Sequence, residues 1–197
     1  ALNQFKMICD HPALYLKETK NQKWAERSPK LDYCIELTEN ILLQHEQVLI
    51  FTQYIKMAHI LQFVLEKQFA CQIPFFYGGL DKKERDQIIV DFQRGAFPIL
   101  LLSLRAGGTG LNLTAANHVI HFDRWWNPAV ENQATDRVHR IGQKQFVHVH
   151  KLIMKNTIEE KIDQLMSQKQ DLSDQILSTE NWLLHLSFEE FLQMITI

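Results

Sequence analysis

Short apolar runs alternate with longer stretches in which apolar residues recur every three or four positions. The runs predict buried strands at 48–52, 99–103, 119–123 and 147–153, with a weaker strand at 73–77. Helical spacing lies between them, at 30–44, 55–69 and 81–92. Nearly continuous apolar strands that alternate with helices predict an α/β fold, in which helices cover both faces of a parallel sheet.

Polar loops follow three of the predicted strands. In open parallel sheets, ligands bind beyond the carboxyl ends of the strands. The loops after Thr52, Ser103 and Asp123 are therefore where we expect binding residues. These loops carry Gln53 and Tyr54, residues 105–112, and residues 124–128.

Two segments flank this alternating pattern. Residues 1–29 contain a His-Pro pair and a polar stretch, and they predict a linker with a leading helix. Residues 156–197 predict a helical bracing extension, with a long helix over 156–177 and a short apolar one within 182–197. The predicted organisation is thus 1–29, 30–155 and 156–197.

Composition narrows the class of protein. The chain has 197 residues and a net charge of −2, so any contact with nucleic acid must come from a local basic patch. Its three cysteines are odd in number and include no C-x-x-C pair, which favours buried thiols over disulfides or a zinc site. No apolar run reaches membrane-spanning length and no signal peptide opens the chain. The start at Ala1 suggests an excised fragment.

Gln133, Arg137 and Arg140 stand at i, i+4 and i+7, which places them on one face of a helix. Two guanidiniums and an amide on one face suit a triphosphate, because arginine presents a rigid fork of donors to phosphate oxygens. An isolated R-x-x-R is more often a solvated helix face. Here the run follows a glycine-rich loop at 105–110, and the combination is more specific than either part.

Seven blocks stand in the order known from one family of motor proteins. They are 10–12, 30–31, 48–53, 77–79, 103–112, 123–128 and 133–143. Together they resemble the C-terminal RecA-like lobe of a Swi/Snf-family ATPase, within helicase superfamily two. The resemblance covers nearly the whole chain, and the ending at 181–191 is similar to bacterial members. It implies a RecA-like sheet with a C-terminal helical extension, and makes 1–29 the connection from a separate N-terminal lobe.

The resemblance implies a role in ATP hydrolysis for the segment 133–143. Arg140 matches the family's arginine finger, which reaches the γ-phosphate; Arg137 matches the second arginine, and Gln133 their polar partner. Gly108, Thr109 and Gly110 match a loop at the lobe interface that couples nucleotide to DNA. The implied cofactor is ATP with Mg²⁺, which the N-terminal lobe mainly holds; we predict no metal site in this chain.

The resemblance also implies contacts with the phosphates of one strand of duplex DNA. The matching residues are Gln53, Gly78, Gly79, Arg105, Gly107, Asn112 and Trp126. Trp126 corresponds to an aromatic residue that leans on the DNA groove, whereas core packing is an equal alternative for Trp125. Backbone contacts position a protein without reading bases, so binding should tolerate any sequence and weaken with salt.

The chain lacks G-x-x-x-x-G-K-[ST] and a D-E-x-H box, so we predict that it alone hydrolyses ATP negligibly. The implied parent is an ATP-dependent translocase on double-stranded DNA that remodels or displaces protein–DNA complexes. Its expected partners are duplex DNA, the N-terminal lobe and a DNA-bound protein such as RNA polymerase, in the bacterial cytoplasm or a eukaryotic nucleus. Two alternatives stay open: a DNA-binding or scaffolding module without ATPase activity, and a lobe of a strand-separating helicase.

Overall fold

The computed structural model describes residues 2–19, 23–103, 111–125, 131–132, 135–136, 138 and 146–170. Their helices are α1 (Leu2–Asp10), α2 (Pro12–Tyr15), α3 (Pro29–Leu43), α4 (Ile55–Phe69), α5 (Lys82–Gln93) and α6 (Ile158–Gln170). Their strands are β1 (Val48–Thr52), β2 (Phe75–Phe76), β3 (Ile99–Ser103), β4 (His118–His121) and β5 (His148–Lys151). A 3-10 turn at Ala25–Arg27 leads into α3.

The strands form one sheet in the order β2-β3-β1-β4-β5, and every pairing is parallel. This confirms the predicted α/β fold. Thr52 pairs with Ser103, and Phe51 pairs with His121. The carboxyl ends of the three central strands therefore meet at one edge of the sheet, which we call the carboxyl edge.

Helices cover both faces because each central strand is apolar on both sides. On one face, Ile50 and Leu101 join a core formed with α3 and α4. On the other, Leu49 and Leu100 pack with Phe92 of α5. Side chains of a strand alternate between faces, so a continuous apolar run fills two cores at once.

The helix starts follow from their capping residues. The Ser28 hydroxyl accepts a hydrogen bond from Leu31 N at 3.2 Å, and Pro29 occupies the first turn of α3. Asp81 and Glu84 form a reciprocal capping box at the start of α5.

Three strands differ in length from their predictions. β4 ends at His121 instead of residue 123, because Asp123 turns inward to accept hydrogen bonds from the end of β1. β2 and β5 are also shorter than the apolar runs that predicted them. Residues 171–197, which include the rest of the predicted bracing extension, lie outside the described residues.

Buried charges attach the leading segment to the rest of the chain. Lys30 Nζ of α3 lies 2.9 Å from Asp10 Oδ1 of α1 and 2.6 Å from Glu159 Oε1 of α6. The ammonium thus joins α3 to one helix from each predicted flanking segment. The division at 29/30 and 155/156 stays a prediction. Within the described ranges, no helix combines the length and apolar character needed to cross a bilayer.

Candidate functional site

The carboxyl edge is organised by the buried carboxylate of Asp123. It accepts hydrogen bonds from the Thr52 hydroxyl and from Gln53 N, which is 3.2 Å from both carboxylate oxygens. Burial raises the pKa of Asp123, while Lys6 and the Thr52 hydroxyl act in the opposite direction. Asp123 therefore holds the loop after β1 against the loop after β4.

Gln53, a predicted DNA contact, follows directly from this anchor. Its backbone is held by Asp123, but its side-chain Nε2 is buried and has no hydrogen-bond partner among the described residues. A buried amide N–H without a partner costs free energy, which an incoming acceptor would recover. The side chain is therefore poised to donate a hydrogen bond at the carboxyl edge.

Arg124 and Trp125, which follow Asp123, take part in a network of ion pairs and hydrogen bonds centred on buried Glu131. Arg124 Nε lies 2.8 Å from Glu131 Oε1, and its Nη1 pairs with Asp163 of α6. The same Glu131 oxygen accepts a hydrogen bond from Trp125 N at 2.8 Å. Glu131 Oε2 lies 3.1 Å from Lys151 Nζ at the end of β5. Glu131 thereby joins Arg124 and Trp125 to the edge strand.

Arg124 and Glu131 are positioning residues that the sequence did not indicate. Burial opposes both charges, but each partner overcomes this penalty for the other: the pKa of Glu131 falls and that of Arg124 rises. Trp125 is half-buried and packs against the core on the α5 face of the sheet. Trp126, the predicted groove contact, lies outside the described residues.

A second group of predicted DNA contacts lies beyond β2 and β3. Gly78 and Gly79 are exposed in the turn after β2, and a Cβ at Gly79 would come 2.5 Å from the Tyr77 ring. The Asn112 carbonyl accepts a hydrogen bond from Gln93 Nε2 at 2.6 Å. Asn112 also lines an open groove of about 530 Å³, together with Lys82 and Arg85.

The whole predicted ATP site lies outside the described residues: Gln133, Arg137, Arg140, Gly108, Thr109 and Gly110. The predicted DNA contacts Arg105 and Gly107 also lie outside. Of their described neighbours, Asn132 and Asp136 are exposed, whereas Glu131 and Val138 are fully buried. The Thr135 hydroxyl lies 3.2 Å from His121 Nε2 at the end of β4. Glu131, Thr135 and Val138 therefore contact the sheet or its core.

A histidine cluster occupies the opposite edge of the sheet. His118 stacks on His148 and His150, and its Nε2 lies 2.5 Å from Glu46 Oε2. Burial and the two neighbouring histidines lower the pKa of His150. Among the residues that the structure describes, no group of three His, Cys, Asp or Glu side chains could hold a metal ion. At the carboxyl edge, the Asp123 oxygens already accept internal hydrogen bonds and do not suit Mg²⁺.

Residues 29–142 match the family model described as the helicase conserved C-terminal domain. The isolated C-terminal domain of the Sulfolobus solfataricus SWI2/SNF2 ATPase is 43% identical, with a TM-score of 0.79. That match covers 98% of this chain and 78% of the solved one. The chain belongs to the helicase C-terminal domain family, of the SWI2/SNF2 type. The predicted RecA-like fold and family are thereby confirmed.

Two further relatives place this helicase C-terminal lobe within larger proteins. The putative ATP-dependent helicase/translocase YwqA of Bacillus subtilis is 57% identical over 196 residues, which are 100% of this chain and 21% of YwqA. The S. solfataricus SWI2/SNF2 ATPase core in complex with double-stranded DNA is 45% identical, with a TM-score of 0.84. Here the lobe is covered completely and spans 41% of the solved chain. The lobe thus spans about a fifth of its Bacillus relative.

Proposed function

We propose that this chain is the second motor lobe of an ATP-dependent translocase on double-stranded DNA, which remodels or displaces protein–DNA complexes. In this proposal the lobe supplies the arginine finger and part of the DNA-backbone track. The N-terminal lobe of the same parent supplies the remaining ATP site and most ligands of Mg²⁺. The lobe alone is inactive as an ATPase. The protein that is displaced, for which RNA polymerase was one prediction, is not named by the relatives described above.

The buried residues around the arginine segment carry the ATP part of the proposal. Glu131, Thr135 and Val138 stand at i, i+4 and i+7, and all three face inward toward β4, β5 or the core. Gln133, Arg137 and Arg140 repeat this spacing two positions later. On continuous helical spacing, a shift of two positions turns about 200° and directs a side chain to the opposite face. The proposal therefore assigns the arginines to the face that meets the nucleotide.

The DNA part of the proposal is supported by Gln53 and by the groove beside α5. Gln53 offers a buried amide without a partner among the described residues, and Asn112 lies in the groove together with Lys82 and Arg85. These groups can donate to phosphate oxygens without reading bases. The solved relative that contains double-stranded DNA makes duplex the favoured substrate over separated strands.

The deciding experiment uses the full-length parent and measures ATP hydrolysis with linear duplex, with single-stranded DNA and without DNA. We expect strong stimulation by duplex, which Arg140→Ala abolishes, because an arginine finger contributes about 10³-fold or more to phosphoryl transfer. Arg94→Ala is the matched control: Arg94 is exposed after α5, and we expect the stimulated rate to stay within about twofold of the wild type.

The alternatives give different results in the same assay. Duplex binding without ATP turnover in the parent would establish a scaffolding module and overturn the motor. Stimulation mainly by single strands, with release of a labelled strand from a partial duplex, would establish a helicase. Displacement of a triplex-forming strand without unwinding of the duplex is the result that the translocase requires.

A further inference from the structure

Helix α1 buries a lysine at the carboxyl edge. Lys6 is 2% exposed, and its ammonium donates a hydrogen bond to the backbone carbonyl of Arg124. Lys6 Nζ lies 4.0 Å from Asp123 Oδ1 and 5.9 Å from the ring centroid of Tyr54. One charge from the leading segment therefore contacts both loops that follow β1 and β4.

Asp123 extends this contact to the predicted DNA track. The Asp123 carboxylate accepts hydrogen bonds from the Thr52 hydroxyl and from Gln53 N. A movement of Lys6 that displaces Asp123 therefore changes the position of Gln53. Helix α1 touches the same loop a second time, because the Tyr54 hydroxyl donates to Asn3 Oδ1 at 2.6 Å. The two contacts are one helical turn apart on α1, so a movement of this helix displaces the loop after β1.

We infer that Lys6 is a positioning residue that couples helix α1 to the DNA track, by holding the loop at Gln53 and the loop at Arg124 in one arrangement. The inference rests on the proposed function, since the arrangement matters only when DNA is bound. Because residues 1–29 are the proposed connection from the N-terminal lobe, Lys6 would transmit the relative movement of the two lobes to these loops.

Burial of the Lys6 ammonium costs desolvation free energy, which packing alone does not require. Burial lowers its pKa, against the attraction of Asp123, Asp10 and Glu159. Apolar side chains of similar volume in place of both Lys6 and its carboxylate partner would avoid the desolvation penalty, since a whole buried ion pair is often replaced without loss of stability. What apolar side chains cannot supply is the hydrogen bond to the Arg124 carbonyl and the attraction between the ammonium and Asp123.

The chain provides a matched control in Lys30. It is 3% exposed and also joins α1 to other elements through carboxylates, but its partners are Asp10 and Glu159. None of its hydrogen bonds among the described residues reaches the loops at Gln53 or Arg124. Lys30 therefore has the burial and charge of Lys6, but it is not hydrogen-bonded to either of these loops.

The test compares Lys6→Met with Lys30→Met in the full-length parent. It measures the ratio of duplex-stimulated to basal ATPase rate, the KM for duplex and the melting temperature. For Lys6→Met we expect the ratio to fall about tenfold and the KM for duplex to rise, because misplacing a binding group by about 1 Å costs up to about 10²-fold in rate. Lys30→Met should lower the melting temperature while its ratio stays within about twofold of the wild type.

Lys6→Arg is the conservative variant, because it retains the charge. A cavity of about 10 Å³ beside Lys6, lined also by Trp125 and Ile162, provides some space for the larger head group. We expect Lys6→Arg to restore at least half of the stimulation ratio. Asn3→Ala removes the acceptor of the Tyr54 hydroxyl from an exposed position, together with a 4.0 Å contact to Met7 Sδ, and should lower the ratio by about twofold without changing the melting temperature.

Equal ratios in Lys6→Met and Lys30→Met would overturn the inference. If Lys6→Met does not fold, an unchanged ratio in Asn3→Ala overturns it instead. If duplex does not stimulate the ATPase of the wild-type parent, the proposed function and this inference are both wrong. A stimulated wild type whose Lys6 variants behave like the Lys30 control removes this inference alone.

Discussion

Lowering the pH from 7 to 5 perturbs one buried residue beside the proposed catalytic segment. His121 is fully buried at the end of β4, where its ring stacks on Phe51 with centroids 5.5 Å apart. Its Nε2 lies 3.2 Å from the Thr135 hydroxyl, and Nδ1 has no partner among the described residues. Burial lowers the pKa of His121 to about 4, although Glu131 acts against the shift. The native state therefore holds a neutral imidazole.

The sign and size of the pH effect follow from linkage. An unfolded histidine has a pKa of about 6.5, so the unfolded chain takes up a proton before the folded one does as the pH falls. The stabilisation by neutral His121 is fully present above about pH 6.5 and is lost as the pH falls toward about 4. Integrating between pH 7 and 5 gives a loss of about 2 kcal/mol in the free energy of unfolding from this residue.

Urea unfolding of the 197-residue chain at pH 7, 6 and 5 measures this loss, beside His121→Phe. Phenylalanine keeps a ring against Phe51 but cannot titrate, so the variant should lose about 2 kcal/mol less than the wild type over this pH range. The control is His59→Gln, which removes an exposed histidine of α4 and should reproduce the wild-type slope. Parallel pH dependences for the wild type and His121→Phe would refute a buried neutral imidazole.

Three further predictions concern stability. Lys30→Met should lower the free energy of unfolding by about 3 kcal/mol in urea unfolding, because it leaves two buried carboxylates without their cation; a loss below about 1 kcal/mol contradicts this. Asp81→Ala removes the capping box of α5 and should cost about 1 kcal/mol in thermal unfolding, whereas exposed Asp86→Ala should cost much less. Glu131→Gln leaves buried Arg124 with weaker compensation, so we expect a loss of about 2 kcal/mol and faster tryptic cleavage in the loop after β4; unchanged cleavage contradicts it.

The fold could be predicted where local pattern and tertiary environment agree. β1, β3 and α4 have the predicted bounds, because their apolar spacing stops where burial stops. β4 ends two residues early, since Asp123 is drawn to the end of β1 by partners 70 and 71 positions away in the chain. The spacing of apolar residues within one segment cannot reveal a hydrogen bond to a residue so far away in the chain.

The same distinction separates the site residues. Gln53 and Asn112 were indicated by their places in family motifs; the structure places Gln53 at the carboxyl edge and Asn112 beside α5, and their contact with DNA stays a prediction. Lys6 was not indicated, because its contact with Arg124 spans 118 positions and a lysine in an amphipathic helix is usually solvated. The pair of Arg124 and Glu131 is only seven positions apart, but Arg124 does not lie in a helix, so helical spacing could not indicate the contact.

Directed buried charges explain how these loops can act together. Apolar packing is non-directional, and it would allow the loops after β1 and β4 to slide against each other at little cost. Asp123 and Glu131 instead fix named donors at hydrogen-bond distance, so each loop has one favoured position relative to the sheet. The proposed function requires this property, because a phosphate contact that shifted independently of the arginine segment would release DNA without advancing it. In the proposed function, the ion pairs of Lys6 with Asp123 and of Lys151 with Glu131 connect α1 and β5 to these loops, and the loops then move together with the elements that hold them.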